Sequence, residues 1–126
     1  MLDKIKVSII TVCFNSELTI EDTILSIKKQ DYNNIEYIVI DGKSTDSTVE
    51  IIKKYNDYID YFISENDNGI YDAMNKGISK ATGQIIGILN SDDFYPNKYI
   101  LSNVVKTFIT HIEFFIKLSF SDKLFS

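Results

Sequence analysis

The chain has 126 residues, enough for one domain with a sizeable core, and its 44% hydrophobic and 25% charged content is ordinary for a globular protein. Its formal net charge of -5 argues against nucleic acid as a partner, because no basic stripe is available to meet phosphates. All 13 basic residues are lysines, so a bound pyrophosphate must be met by a metal ion, backbone N–H groups or lysine.

The single cysteine, Cys13, excludes a disulfide framework and a zinc cluster and indicates a reducing compartment. We interpret it as a small buried hydrophobic residue within a strand. No segment has the roughly 18 consecutive apolar residues that a membrane-spanning helix requires. We therefore expect a cytoplasmic protein, peripheral to a membrane at most.

Apolar periodicity predicts four strands that alternate with four helices. The predicted strands cover residues 7–14, 35–40, 58–63 and 85–89, and the third is expected nearer an edge. The predicted helices cover residues 18–29 and 70–80, and two more begin near Ser47, where Glu50 completes a capping-box pattern, and at Pro96. This order predicts an α/β fold with a mostly parallel sheet flanked by helices.

The strand at 85–89 is predicted to be buried on both faces in the middle of the sheet, and the sequence Asn-Ser-Asp-Asp follows it. Asp92 and Asp93 would then lie at a carboxyl end of the sheet, where open α/β sheets bind ligands. Adjacent carboxylates repel, so a site that keeps both ionised usually supplies a cation, and oxygen ligands suit Mg²⁺ or Mn²⁺. The alternative is that one of them caps the helix predicted at Pro96.

Three other segments are expected at the same edge, namely residues 11–15, Asp41 and the loop 65–69. Asp41 could accept a hydrogen bond from a sugar hydroxyl or a base N–H, or it could be a turn residue before Gly42. The loop could equally be a solvated connection. No Gly-x-Gly-x-x-Gly follows the first strand, which disfavours dinucleotide binding.

Four segments together resemble the family 2 glycosyltransferases, which have the nucleotide-sugar-binding GT-A fold. They are VSIITVCFN (7–15), EYIVIDGKSTDST (36–48), SENDNGIYDAMNKGI (64–78) and ATGQIIGILNSDDF (81–94), and the resemblance covers about residues 6–108. The chain looks most similar to the colanic-acid and capsule-type members, which build bacterial surface polysaccharides.

The resemblance implies a role for each matching residue. Asp93 would hold Mn²⁺ or Mg²⁺ on the diphosphate, Asp92 would contact the ribose or support the metal, and Asp41 would hydrogen-bond the base, with Thr11 against the same base. The other positions expected to contribute to the nucleotide pocket are Asn15, Asp67 and Asn75. The first position of the family's DxD-type motif is a serine here, Ser91, which family 2 members tolerate.

The implied reaction is inverting glycosyl transfer from a nucleotide sugar, UDP-linked, to a saccharide or lipid-linked acceptor. The family's general base lies in its second half, and no segment after Phe108 matches it. We therefore interpret 1–108 as the nucleotide-sugar-binding domain of a truncated enzyme, with no catalytic base identified. The alternatives are a catalytically inactive nucleotide-binding fragment and a sugar-nucleotidyl transferase; the latter would need a Gly-rich, basic loop after the first strand.

Residues 109–126 form an atypical tail, apolar without a clean period. The tail could be a short strand, a helix or an interfacial segment. Its His111 is the only histidine and is interpreted as incidental.

Overall fold

The computed structural model describes residues 4–125, with side chains described as far as residue 113. Four parallel strands lie in the order β3-β2-β1-β4. The strands are β1 Val7–Cys13, β2 Ile35–Asp41, β3 Tyr61–Ser64 and β4 Ile85–Ile88, and the helices are α1 Ile20–Lys28, α2 Thr48–Lys53, α3 Ile70–Lys80 and α4 Ile100–Phe125. The predicted α/β class, with a parallel sheet flanked by helices, is confirmed.

The centre of the sheet is formed by β1, whose seven residues are all buried. It pairs in register with β2 from Val7 opposite Ile35 to Cys13 opposite Asp41, and with β4 on its other side. Long apolar runs buried on both faces are typical of central parallel strands, and β1 fits this description. The expected edge position of β3 is also confirmed.

The prediction that β4 is a central, doubly buried strand is wrong for the described residues. It pairs only with β1, and its Ile86 and Ile88 side chains are 44% and 41% exposed. Ile88 lies opposite Ile10, whose side chain packs in the cluster that contains Ala73 of α3. On this face α3 packs over β1 and β2, so the edge strand stays open.

Two apolar clusters cover the two faces of the sheet. The predicted inner face of α1, Ile20, Ile24 and Ile27, is fully buried. The inner face of α4 is narrower than predicted, because Leu101 and Val105 are buried whereas Val104 is 41% exposed.

The predicted inner face of α3 is likewise only partly confirmed. Ala73 and Gly77 are buried, but Ile70 and Ile78 are 49% and 42% exposed. Gly77 sets how closely this helix approaches the sheet, because a Cβ at this position would lie 2.5 Å from Cγ2 of Ile10. Close approach at Gly77 brings the first turn of α3 near the carboxyl ends of the strands.

The helix predicted to begin at Pro96 begins instead at Ile100. The side chain of Gln30 explains the later start, since its amide oxygen accepts from the Leu101 N–H at 3.0 Å and its amide nitrogen donates to the Asn97 carbonyl at 2.7 Å. The first N–H groups of a helix lack partners within it, and Gln30 supplies one here. Neither Asp92 nor Asp93 is therefore a helix cap.

The capping box predicted at Ser47 and Glu50 is also absent, because Ser47 makes no side-chain capping bond to α2. Asp46 takes this role, and its Oδ1 accepts from the N–H of Thr48 at 2.9 Å and from its hydroxyl at 2.6 Å. Desolvation favours a higher pKa for Asp46, but the hydrogen bonds from Thr48 and from the Glu17 N–H together outweigh it and hold the pKa of this carboxyl below its ordinary value.

Of the three alternatives for the tail, the structure shows a helix, since α4 continues unbroken across residue 108 to Phe125. The domain boundary predicted at residue 108 therefore falls inside a helix. Within residues 4–125, no helix combines the length and the apolar character needed to cross a membrane.

Candidate functional site

A cavity of about 480 Å³ opens at the carboxyl ends of β1 and β4, beside the first turn of α3. Its lining includes Phe14, Asp67, Ile70, Asn90 and Asp92. Because the strands are parallel, their carboxyl ends all lie at the same edge of the sheet. Residues far apart in sequence therefore meet at this edge. This cavity brings together the segments 11–15, 65–69 and 90–93 that the sequence placed at one edge.

A second and larger cavity, of about 690 Å³, lies between α1 and the loop before α4. Lys29, Phe94 and Lys98 are among the residues that line it. It contains none of the predicted site residues, and its lining mixes both signs of charge with apolar surface. We therefore place the candidate site in the smaller cavity.

The two carboxylates after β4 lie on a tight turn whose Asp93 N–H donates to the Asn90 carbonyl at 3.0 Å. Both acidic residues are exposed, but only Asp92 lines the cavity. The side-chain oxygen of Asn90 is buried and has no hydrogen-bond partner. A buried polar oxygen without a partner is costly, so this oxygen is available to a ligand.

The donor set fits a divalent ion that shares its coordination with a bound diphosphate. Within the described residues, no group of three or more His, Cys, Asp or Glu side chains could hold a metal ion by itself. Mg²⁺ is commonly bound through one or two carboxylates, with substrate phosphates and water completing the shell, and Mn²⁺ prefers the same oxygen ligands. Asp92 and Asp93 provide that number of carboxylates.

Another part of the cavity lining combines the carboxylate of Asp67, which the sequence analysis predicted, with the aromatic ring of Phe14, which it missed. Phe14 is 60% exposed and lines the cavity together with Asp67. A Cβ on Gly42 would lie 2.8 Å from Oδ2 of Asp67 and 3.5 Å from the Phe14 ring, so a larger residue at position 42 would require the Asp67 carboxylate to shift. The signal was an aromatic residue at the end of a strand that leads into a polar turn.

Asp41 is fully buried and does not line the cavity. Its Oδ2 accepts from the Ser44 N–H at 2.9 Å and from the Ser64 hydroxyl at 2.6 Å, and its Oδ1 accepts from the Ser44 hydroxyl at 2.5 Å and the Cys13 thiol at 3.4 Å. This carboxylate therefore connects the ends of β1, β2 and β3. Base recognition by Asp41 remains a prediction, and the contacts give it a structural role.

The Asp41→Asn variant distinguishes these two roles. In this variant an amide nitrogen replaces one carboxylate oxygen, and this nitrogen cannot accept from the N–H, hydroxyl and thiol donors that surround Asp41. We therefore expect a loss of about 1–3 kcal/mol in unfolding free energy. Thermal melting should show a decrease of a few degrees for each kcal/mol lost. A variant with unchanged melting and weakened nucleotide binding would instead support base recognition. Asp57→Asn, an exposed position, controls for the change in charge.

Besides Asp41 and Asp93, three further predicted site residues are not in the cavity lining. Thr11 is fully buried, and its hydroxyl accepts from the Tyr37 hydroxyl at 2.9 Å. Asn15 is exposed, and its side-chain oxygen accepts from the Thr45 N–H at 2.8 Å, which joins the loops after β1 and β2. Asn75 is exposed on α3 and is not in the cavity lining. We leave these three out of the proposed site.

The thiol of Cys13 is buried and free, as the sequence indicated. Burial raises the pKa of this thiol far above its ordinary value, and the neighbouring Asp41 raises it further. The thiol stays protonated at neutral pH and is a poor nucleophile. Cys13 is therefore a packing residue, although it also lines the cavity.

The sequence model of the family described as glycosyl transferase family 2 matches residues 8–112, which contain the whole cavity. The chain belongs to this family. The resemblance seen in the sequence is thus confirmed, and the sheet is the core of a GT-A fold.

Two of the relatives have names that state an activity or a pathway. The chain is 34% identical over 120 residues to the UDP-Glc:alpha-D-GlcNAc-diphosphoundecaprenol beta-1,3-glucosyltransferase WfaP of Escherichia coli, covering 90% of this chain and 48% of that protein. It is 36% identical over 90 residues to the putative teichuronic acid biosynthesis glycosyltransferase TuaG of Bacillus subtilis, covering 69% of this chain and 36% of that protein. It spans 38% of the length of its Mycobacterium tuberculosis and Haemophilus influenzae relatives.

Solved structures agree with the fold assignment. S. aureus TarS 1-349 in complex with UDP-GlcNAc superimposes with a TM-score of 0.78 at 30% identity, covering 84% of this chain and 32% of that one. The mannosyltransferase PcManGT of Pyrobaculum calidifontis in complex with GDP-Man and Mn²⁺ gives a TM-score of 0.75 at 28% identity, covering 81% and 32%.

Proposed function

We propose that this chain is the donor-binding part of an inverting glycosyltransferase of bacterial surface polysaccharide synthesis. Its ligand is a nucleotide sugar, a UDP-sugar, held with Mn²⁺ or Mg²⁺. The observation that carries the proposal is one cavity with the aromatic ring of Phe14 on one wall and the acidic turn at Asp92 and Asp93 near the other. Such a pairing suits a ligand with a flat base at one end and phosphates at the other.

Each wall has a distinct task in this proposal. The exposed ring of Phe14 offers a stacking surface to the base, and base–aromatic stacking does not depend on base identity. Asp67 lies beside that ring, within reach of base or ribose donors. The polar turn after β4 supplies Asn90 and Asp92 to the phosphate side.

Asp93 and Asp92 would hold the divalent ion through their carboxylates. When bound, the ion stabilises negative charge on the departing diphosphate as a Lewis acid. The chain contains no arginine, so it has no bidentate guanidinium clamp with which to replace this contribution. We therefore expect diphosphate binding to depend strongly on the ion.

The acceptor in this proposal is a saccharide or lipid-linked glycan, consistent with the diphosphoundecaprenol acceptor that the name of WfaP gives. We place the reaction in the cytoplasm, where nucleotide sugars are available. Peripheral association with the membrane would bring the enzyme to such an acceptor.

The second candidate is a nucleotide-binding fragment without catalysis. It is favoured by one observation, that the acidic side chains in the cavity lining, Asp67 and Asp92, are both assigned to the donor, which leaves no carboxylate of the lining to act as a base. Both candidates require the same donor site and differ in whether sugar is transferred.

Calorimetric titration of the chain with UDP, with and without Mn²⁺, tests the shared donor site. We expect UDP to bind at least tenfold more tightly with Mn²⁺ present, whereas uridine, which lacks phosphates, should show no Mn²⁺ dependence. EDTA should restore the metal-free affinity. UDP binding that is absent, or equal with and without Mn²⁺, would contradict the proposed function.

A further inference from the structure

Thr23 lies on α1, and its side chain reaches the acidic turn after β4, about 70 residues away in sequence. The residue is 1% exposed. Its hydroxyl oxygen is 2.5 Å from the carbonyl oxygen of Asp93 and 3.0 Å from that of Ser91. These two carbonyls lie on either side of Asp92, so one buried hydroxyl contacts the backbone at both ends of the acidic pair.

The hydroxyl of Thr23 has a nearer partner here than in its own helix. A threonine within a helix usually donates to the carbonyl four residues before it, and Thr23 lies 3.4 Å from that of Thr19. The distance to Asp93 is shorter by almost an ångström. Since a hydroxyl has one proton, donation goes mainly to the Asp93 carbonyl and is shared with that of Ser91.

The helix that carries Thr23 is anchored by buried side chains. The Thr23 hydroxyl therefore has a fixed position from which to hold the acidic turn. Ile20, Ile24 and Ile27 of α1 are fully buried against the sheet. A second contact joins the same two regions, because the hydroxyls of Ser16 and Ser91 lie 2.7 Å apart. The acidic turn is thus fixed to the β1–α1 region at two points.

We infer that Thr23 is a positioning residue, which holds the Asp92–Asp93 turn in the geometry needed to share a divalent ion with a diphosphate. It does not touch the ion or the nucleotide. The expected effect on UDP and Mn²⁺ binding rests on the proposed function. The positioning of the turn does not, because it is a property of the free protein. Metal ligands must be held closely for tight binding, and groups that orient them typically matter tenfold or more.

Amide hydrogen exchange on the free chain tests the positioning without any ligand. In Thr23→Val, which keeps the side-chain shape, the Asp93 amide should exchange about fivefold faster, the effect of losing one ordinary hydrogen bond. Thr23→Ser, which keeps the hydroxyl, should restore slow exchange. Thr110→Val is the matched control, because Thr110 donates only to the Lys106 carbonyl on the exposed side of α4.

Unchanged exchange at Asp93 in Thr23→Val would overturn the inference, as would equal acceleration of every α1 amide, which would show a general loss of packing. The wild-type chain gives a measurement that needs no variant: a persistently bonded Thr23 hydroxyl should show a slowly exchanging proton by NMR. A rapidly exchanging hydroxyl proton would also overturn the inference.

Calorimetry then separates this inference from the proposed function. Thr23→Val should bind UDP about tenfold more weakly with Mn²⁺ and equally well without it, and excess Mn²⁺ should recover most of the loss. If the wild-type chain shows no Mn²⁺-dependent UDP binding, the proposed function fails, whereas the exchange of Asp93 still decides whether Thr23 positions the turn. Normal Mn²⁺-dependent binding by Thr23→Val would contradict its role at the metal.

Discussion

Replacing Asp93 with asparagine is expected to lower the Mn²⁺-dependent affinity for UDP by about tenfold to a hundredfold, the range seen for changes around metal ligands. The carboxylate is exposed on the acidic turn, so its conversion to an amide removes a charge without opening the core. Melting temperature should therefore change little. Titration with UDP at fixed Mn²⁺ measures the loss.

Two further variants make this result specific. Asp92→Asn should also weaken binding, and since Asp92 lines the cavity, the comparison shows which carboxylate the ion uses more. Asp57→Asn removes the same charge at an exposed position outside the cavity lining and should bind normally. Equal losses in all three would indicate a general effect of net charge, and an unaltered Asp93→Asn variant would remove Asp93 from the metal site.

The parallel sheet could be predicted because its signals are local. β-branched runs separated by helical periods appear in order along the chain, and crossover connections then place the strand ends on one edge. The position of β4 could not be predicted in this way. Its apolar run is compatible with a central strand, and only the pairing partners show that Ile86 and Ile88 lie at an open edge.

Side-chain roles in the site were harder to predict because they depend on contacts between distant segments. Asp41 and Asp92 both lie at the carboxyl end of a strand, yet Asp41 is enclosed by donors from Ser44 and Ser64 whereas Asp92 lines the cavity. Thr11 and Phe14 differ in a similar way, since Thr11 is enclosed in the sheet and Phe14 is exposed beyond its end. Sequence position locates the edge, and burial decides which side chains a ligand can reach.

Thr23 illustrates the limit of pattern reading most clearly. Thr23 lies on the same buried face of α1 as three isoleucines, and the sequence pattern alone suggests only a polar residue tolerated in the core. Its significance lies in two carbonyl groups contributed by a loop about 70 residues later. Backbone carbonyls have no sequence signature, so no inspection of side-chain types could have revealed this contact.

The 126-residue chain by itself is expected to transfer sugar about 10²–10⁴-fold more slowly than a longer relative. The reason is that transfer needs a general base to remove the proton of the acceptor hydroxyl. Asp67 and Asp92 are the acidic residues that line the cavity, and the proposal assigns both to the donor. Asp41 is buried with its oxygens engaged, and Glu113 is exposed on α4 and outside the cavity lining. The side chain of Asp122 lies outside the described residues.

Positioning adds to this deficit, since an acceptor must be held in line with the anomeric carbon for effective attack. Slow hydrolysis of the donor by water needs only the donor site, so it should survive and should depend on Asp93. The assay incubates the chain with UDP-sugars, Mn²⁺ and a panel of saccharide and lipid-linked acceptors, with WfaP and a diphosphoundecaprenol acceptor as the positive control. Robust product that disappears in Glu113→Gln or Asp122→Asn would show that α4 supplies the base, and would make this chain a complete catalyst.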